Sequence, residues 1–210
     1  VSDADIFEKI AEDIRTQGYC VYKNAVPETL ASALRASVDN LPIGDMKHAG
    51  VGRRDDFSIE DDVRRDKVHW IDAGAPVNDA WLGWMDGLKA HLNRRLFLGL
   101  FSFESHYAHY PQGGFYRRHV DAFRGQANRV LSIVTYLNPD WHESLGGELL
   151  IYADDSDDVL ARVLPEQRTL VVFLSEDFPH EVLPASSERF SIAGWFRING
   201  SSAGLADPER

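Results

Sequence analysis

Arg129-Val130-Leu131-Ser132-Ile133-Val134-Thr135-Tyr136-Leu137 is the stretch on which the fold class turns. β-Branched and aromatic side chains dominate it and no helical period runs through it, so it reads as a largely buried strand. Working outward, Arg189-Phe190-Ser191-Ile192-Ala193-Gly194-Trp195-Phe196-Arg197 has the same character. Shorter segments of the same kind fall at 103–110, 115–120, 148–152, 169–174 and 180–183. Short strands at regular spacing with turns between them predict an antiparallel sandwich, jelly roll or barrel.

Before residue 98 the pattern differs. Ile6, Phe7, Ile10, Ala11 and Ile14 recur at helical spacing, Gly18 stops them, and 19–22 reads as a short strand. A second helix runs from near Pro27 to Asp39, and Trp81, Met85, Leu88, Leu92 and Leu96 mark a third. Between Gly44 and Lys67 no apolar period appears, and an irregular stretch of that length is usually functional or a moving lid. A strand over 67–72 follows. The expectation is one α+β domain over 1–210, with helical support in 1–100, a jelly-roll core in 101–197 and a mobile loop in 44–67. The acidic run Asp154-Asp155-Ser156-Asp157-Asp158 lacks the glycine and closing glutamate of a calcium loop and is expected to be a solvated turn.

Composition narrows the function. The chain has 210 residues, 22 Lys plus Arg against 33 Asp plus Glu, and a formal charge of −11. A net charge of that sign repels phosphate backbones, so no nucleic-acid partner is expected. No apolar run reaches the roughly 18 residues that span a bilayer, so no membrane partner is expected either. The lone Cys20 suits a reducing compartment. The first twenty residues are too charged for a signal-peptide core. Cytoplasmic is the default expectation, with a targeting segment before Val1 left open.

Candidate chemistry starts from His119-Val120-Asp121, because on a strand i and i+2 face the same way and can grip one ion. His180, after Phe178-Pro179, opens a distant strand and supplies a second imidazole. Two histidines and a carboxylate suit a non-haem Fe(II) site with open positions, and also a His₂Asp zinc site. Arg189 stands at the head of an apolar strand, where a guanidinium needs an anion. A small dicarboxylate would meet its planar fork bidentately, and an internal pair with Glu188 or Glu181 is the alternative. Tyr110 and Tyr136 fit the same pocket as buried phenols in need of a hydrogen-bond partner.

These stretches together resemble the iron- and 2-oxoglutarate-dependent dioxygenases, in particular their prolyl 4-hydroxylase branch with the hypoxia-inducible-factor-type enzymes and bacterial relatives. The matching residues are Val63 to Ile71, Tyr110-Pro111 through Arg118-His119-Val120-Asp121, Tyr136-Leu137-Asn138-Pro139-Asp140-Trp141, Gly146-Gly147, and Pro179-His180-Glu181-Val182 through Arg189 to Trp195. The resemblance implies a distorted double-stranded β-helix. It implies that His119, Asp121 and His180 bind Fe(II) and are catalytic, and that Arg189 holds the distal carboxylate of 2-oxoglutarate with help from Tyr136. Tyr110 would lie beside the co-substrate and Trp195 would wall the pocket. O2 is the second co-substrate and ascorbate a supporting reductant. The reaction implied is peptidyl proline to peptidyl 4-hydroxyproline, with succinate and carbon dioxide released.

The stretch 44–67 would be the loop that closes over a polypeptide, with Arg64 and Asp66 paired to hold it. Relatives in bacteria modify elongation factor Tu, which is the expected protein substrate, met by a monomer. Three departures stand out. The turn between Tyr110 and His119 is one residue shorter than in the animal enzymes. His106 occupies a pocket position that is apolar in the animal enzymes, and Arg117, Arg118 and Arg124 crowd the metal strand as if to receive an acidic segment. Two other functions stay open: an oxidative demethylase of alkylated nucleic acid, for which Arg197 would be recruited, and a sandwich that only binds a partner.

Overall fold

A computed structural model describes residues 2–42, 44–50, 62–122 and 128–199. The chain opens with helix α1 (Asp3–Gln17). Ser2 and Asp5 form a reciprocal capping box that satisfies its first free amides, and Gly18, in the left-handed region, ends it. Strand β1 (Tyr19–Tyr22) follows, then helix α2 (Glu28–Asp39) and a two-residue strand β2 (Lys47–His48). Strand β3 (Lys67–Trp70) leads to helix α3 (Pro76–Leu96), whose first residue is a proline that needs no amide partner there. Trp81, Met85, Leu88 and Leu92 point inward from α3 and are completely buried, each contributing roughly 1.5–3 kcal/mol of apolar transfer energy.

Eight strands complete the chain. They are β4 (Leu100–Tyr110), β5 (Tyr116–His119), β6 (Arg129–Tyr136), β7 (Leu149–Tyr152), β8 (Val159–Val163), β9 (Leu170–Leu174), β10 (His180–Val182) and β11 (Arg189–Ile198). They form a seven-stranded sheet ordered β1-β9-β6-β11-β4-β3-β2 and a four-stranded sheet ordered β5-β10-β7-β8. Every pairing is antiparallel. Of the sandwich, jelly roll and barrel that the strand spacing left open, this is the open, distorted jelly roll that the resemblance implies.

Alternation along β11 separates two cores. Ile192 and Phe196 face the helices, in one cluster with Ile10, Leu34, Trp81 and Leu88. The opposite face of the large sheet, with Ala108, Tyr110, Tyr136 and Phe173, packs on Leu149, Ile151 and Val182 of the small sheet. The space between the sheets is therefore reached by Arg189, Ser191, Ala193 and Trp195, which alternate with the helix-side residues.

Two sequence expectations are corrected here. Strand β8 was not predicted, because Val159 and Leu160 are exposed on a sheet edge and follow the acidic run. Its register with β7, not its own pattern, makes it a strand. The stretch 44–67 is also not wholly irregular. Lys47 and His48 pair with β3, and Arg64 bridges to Tyr116. The centre of the predicted loop, 51–61, lies outside the described residues.

Candidate active site

The small sheet brings the three predicted metal ligands together. His119 ends β5 and His180 begins β10, and the two are direct cross-strand partners. Asp121 follows His119 by two residues, and ligand atoms of all three lie within 4.8 Å of one another. His119 Nε2 is 3.6 Å from Asp121 Oδ1, and His180 Nε2 is 3.7 Å from Oδ2.

Backbone carbonyls set the tautomers. His119 Nδ1 meets the Arg117 carbonyl at 2.8 Å, and His180 Nδ1 meets that of Phe178 at 3.0 Å. A carbonyl only accepts, so each Nδ1 carries the proton and each Nε2 turns a lone pair toward the carboxylate. Ser132 donates to Asp121 Oδ2 at 2.6 Å and is itself 2.9 Å from Ser175 Oγ. Burial works against ionisation of Asp121, but positive charge beside it, from an imidazolium at His180 or His119 or from a cation in their place, together with the Ser132 hydroxyl overcomes it and holds the carboxyl well below the usual range. Burial, reinforced by His119, lowers His180 to about 4, so its imidazole is neutral at pH 7.

Arg189 occupies the other end of the space. It is 1% exposed, yet among the described residues no acid lies within ion-pair distance of it. The two internal acids considered from sequence are engaged elsewhere: Glu188 faces His109, and Glu181 accepts from Tyr152. Arg189 Nε donates to the Gly147 carbonyl at 3.0 Å and Nη1 to Ser191 Oγ at 3.3 Å. Its guanidinium lies over the rings of Tyr110 and Tyr136 at 4.8 and 5.1 Å. The Tyr136 hydroxyl is buried and donates to no group among the described residues, and burial raises it to about 12 against the opposing Arg189 charge and contact. It is a neutral donor with nothing to donate to. Gly147 lets the backbone close over Arg189: its φ is +78°, and a Cβ there would meet Ala185 at 2.8 Å and the Arg189 stem at 3.4 Å.

The residues fit both groups that such a site takes. Two imidazole nitrogens and a carboxylate suit Fe(II) with positions left open. A buried cation and an orphaned phenol suit the carboxylate of a small diacid.

Comparison with known proteins agrees. The 2OG-Fe(II) oxygenase superfamily pattern matches residues 105–197, which hold all these side chains. A Pseudomonas putida prolyl-4-hydroxylase of known crystal structure is 39% identical, with a TM-score of 0.82 over 92% of this chain and 100% of that one. This chain belongs to the 2OG-Fe(II) oxygenase superfamily. Its double-stranded β-helix follows, and so does the implied set of Fe(II), 2-oxoglutarate and O2. A Trichoplax adhaerens prolyl hydroxylase, solved with a fragment of the hypoxia-inducible-factor oxygen degradation domain, is 25% identical at a TM-score of 0.81, covering 93% of this chain and 90% of that one. Human Egl nine homolog 1 is 32% identical over 144 residues, 64% of this chain. The chain spans 33% of that protein's length, and 42% and 35% of its rat and mouse counterparts.

The remaining predicted residues of this oxygenase frame the space. Trp195 is buried, and the Arg129 guanidinium stacks 3.6 Å above its ring. Glu104 fixes Arg129 at 2.8 Å and lies 3.6 Å from Arg197. Arg64 and Asp66 are paired as expected, through two bonds of 2.7 and 2.6 Å, with Asp66 buried. Arg117 is exposed, donates to the Asp62 carbonyl and sits over the Phe115 ring. Arg124 lies outside the described residues. Arg118 is engaged internally, with Asp157 at 2.7 Å and the Ser156 carbonyl. The acidic run is thus a turn tied to β5, the strand that carries His119.

Sequence reasoning missed Ser132 and Tyr116. Ser132 shares a strand face with Tyr136, and a lone serine on the inward side of an apolar strand was the available signal. Tyr116 left no such signal. Its ring stacks on His119 with centroids 3.6 Å apart, although the two are three positions apart and simple alternation puts them on opposite faces. A bulge in the β5–β10 register, where Tyr116 faces Val182 and His119 faces His180, reverses that.

His106 lies on the same wall, 5% exposed, between the rings of Trp70 at 5.2 Å and Trp195 at 5.6 Å. Burial lowers it to about 4; Asp66 opposes this, while Arg64 and Arg129 add to it. An unfolded histidine protonates near 6.5, so this contribution to stability is complete above that pH and is lost as pH falls toward 4. Replacing His106 by glutamine is expected to remove about 2 kcal/mol of the acid-induced loss between roughly pH 7 and 5, measured by denaturant unfolding at both.

Proposed function

We propose that this protein is an Fe(II)- and 2-oxoglutarate-dependent prolyl 4-hydroxylase of polypeptides. The observation that carries the reading is Arg189: a buried cation with no acid among the described residues, in the same inter-sheet space as the two histidines and the aspartate. In this reading His119, Asp121 and His180 hold the metal, which when bound supplies the oxidative chemistry linking 2-oxoglutarate decarboxylation to C–H hydroxylation.

The chain's own residues do the rest. Arg189 receives the distal carboxylate of 2-oxoglutarate, and Tyr136 donates to the same group. Tyr110 packs beneath the Arg189 guanidinium and keeps that end of the pocket dry. Trp195, braced by Arg129, walls the side facing the target; the buried Arg64–Asp66 pair holds the strap on which the polypeptide lies, and Arg117 and Arg124 are the residues assigned to contact it. Holding the co-substrate at a fixed distance from the metal and excluding water are what such a scaffold contributes.

The prolyl assignment draws on the relatives, which carry that activity in their names. Elongation factor Tu as substrate draws on the resemblance to the bacterial branch alone, and ascorbate as supporting reductant on the resemblance to the family. The nucleic-acid reading loses ground at Arg197, which lies 3.6 Å from the Glu104 carboxylate.

The deciding experiment supplies Fe(II), 2-oxoglutarate, ascorbate and O2 with either intact elongation factor Tu, proline-containing peptides or methylated oligonucleotides. Succinate release together with one added oxygen on a prolyl residue is expected. Demethylated oligonucleotide with unmodified protein would transfer the assignment to the nucleic-acid class. No 2-oxoglutarate turnover with any substrate would leave only a binding sandwich.

A further inference from the structure

The Arg64–Asp66 pair does more than tie two neighbouring residues. Arg64 Nη1 also donates to the Gly50 carbonyl at 3.3 Å, and the Asp66 carbonyl accepts from the Ala49 amide at 3.0 Å. The pair therefore joins the chain before residue 51 to the chain after residue 61. Its guanidinium lies 4.2 Å from the centroid of Tyr116, and the other neighbour of that ring is His119, at 3.6 Å and an interplanar angle of 16°. Asp66, Arg64, Tyr116 and His119 thus form one column. A carboxylate fixes the plane of a guanidinium, which lies over a phenol, which lies flat on an imidazole.

Three features make the column stiff. The pair is bidentate, so the guanidinium plane cannot swivel without breaking two charge-assisted bonds. Its side chains are 13% and 0% exposed, so water does not compete for it. The strap that carries Arg64 is itself bonded to the strand that carries His119, through Arg65 N to the Phe115 carbonyl and Arg117 N to the Val63 carbonyl. Among the described residues the imidazole has one hydrogen bond of its own, from Nδ1 to the Arg117 carbonyl, and that leaves ring tilt to be fixed by packing.

We infer that Arg64 and Tyr116 are positioning residues for the metal ligand His119, so that the seating of the 62–66 strap sets the aim of one metal-binding nitrogen. A polypeptide that presses on the strap would then act on the metal centre through this column. The inference rests on the reading of His119, Asp121 and His180 as a metal site, and the test separates the two.

Cobalt(II) is titrated into the metal-free full chain with 2-oxoglutarate present, and affinity and visible ligand-field bands are recorded. Wild type is expected to bind and His180→Ala to lose the bands; a wild type without bands would overturn the metal reading itself. Arg64→Lys keeps the charge but not the plane and is expected to weaken cobalt about tenfold and shift the bands, while Tyr116→Phe keeps the ring and stays within about twofold of wild type. Tyr116→Leu should match Arg64→Lys, and if it does not fold, Arg64→Lys decides alone. Unshifted bands and unchanged affinity in Arg64→Lys would overturn the inference, even where hydroxylation falls. A tenfold loss in Tyr116→Phe would overturn it as well, since the hydroxyl rather than the stacked ring would then be responsible.

Discussion

His180→Asn is expected to abolish succinate formation, by about 10³-fold or more, because several kcal/mol of metal-dependent transition-state stabilisation is lost with the ligand. Asparagine is the sharper choice over alanine. Its side-chain amide can still donate to the Phe178 carbonyl that now receives His180 Nδ1. It presents no nitrogen lone pair where Nε2 stands. The variant should fold, since what it loses is a neutral ring packed edge-on against Phe173 at 4.7 Å. Metal content, thermal unfolding of the metal-free chain and turnover are measured together. Full turnover with bound iron would remove His180 from the site; a chain that is folded, metal-poor and inactive is the expected combination.

How much of this was legible beforehand depends on the kind of regularity that each residue obeys. Ile6 to Ile14 follow the helical period and Val130 to Tyr136 form an uninterrupted strand, so their elements were readable from local pattern. His119 and Asp121 share a face by simple separation of two, and Arg189 announced itself as a charge at the head of an apolar strand. The pairing of His119 with His180 is different. It depends on β5 and β10 being neighbours, which no local pattern encodes; the resemblance to known enzymes supplied it. Tyr116 lay beyond pattern altogether, because a one-residue bulge places it on the face that alternation denies it. Strand β8 failed for the converse reason: an exposed edge needs no inward-facing alternation to be held by its neighbour. The acidic run was read as solvated and is a turn, yet its bond to Arg118 removes one of the arginines assigned to an incoming acidic segment.

Arg189→Met is expected to raise the 2-oxoglutarate KM by about 10²-fold, the scale of losing a buried charge-assisted fork, while leaving metal affinity unchanged. Its effect on stability should run the other way. In the absence of 2-oxoglutarate the wild-type chain holds a buried guanidinium with two neutral partners, Gly147 carbonyl and Ser191 hydroxyl, and two tyrosine rings. Replacing an uncompensated buried ion by an apolar chain of similar length is commonly neutral or stabilising. Arg189→Met should therefore unfold at the same temperature as wild type or higher when no co-substrate is added. Adding 2-oxoglutarate should reverse the order, because ligand binding stabilises only the chain that binds it, by about 2.7 kcal/mol at a hundredfold excess over Kd. Arg189→Lys separates charge from shape. An ammonium keeps the sign but cannot span both carboxylate oxygens, and burial favours its neutral form, so its KM should fall between the two. A methionine variant that is markedly less stable than wild type without ligand would mean that Arg189 holds the fold rather than the co-substrate. An unchanged KM would remove it from the pocket's chemistry, and the diacid would have to be anchored elsewhere.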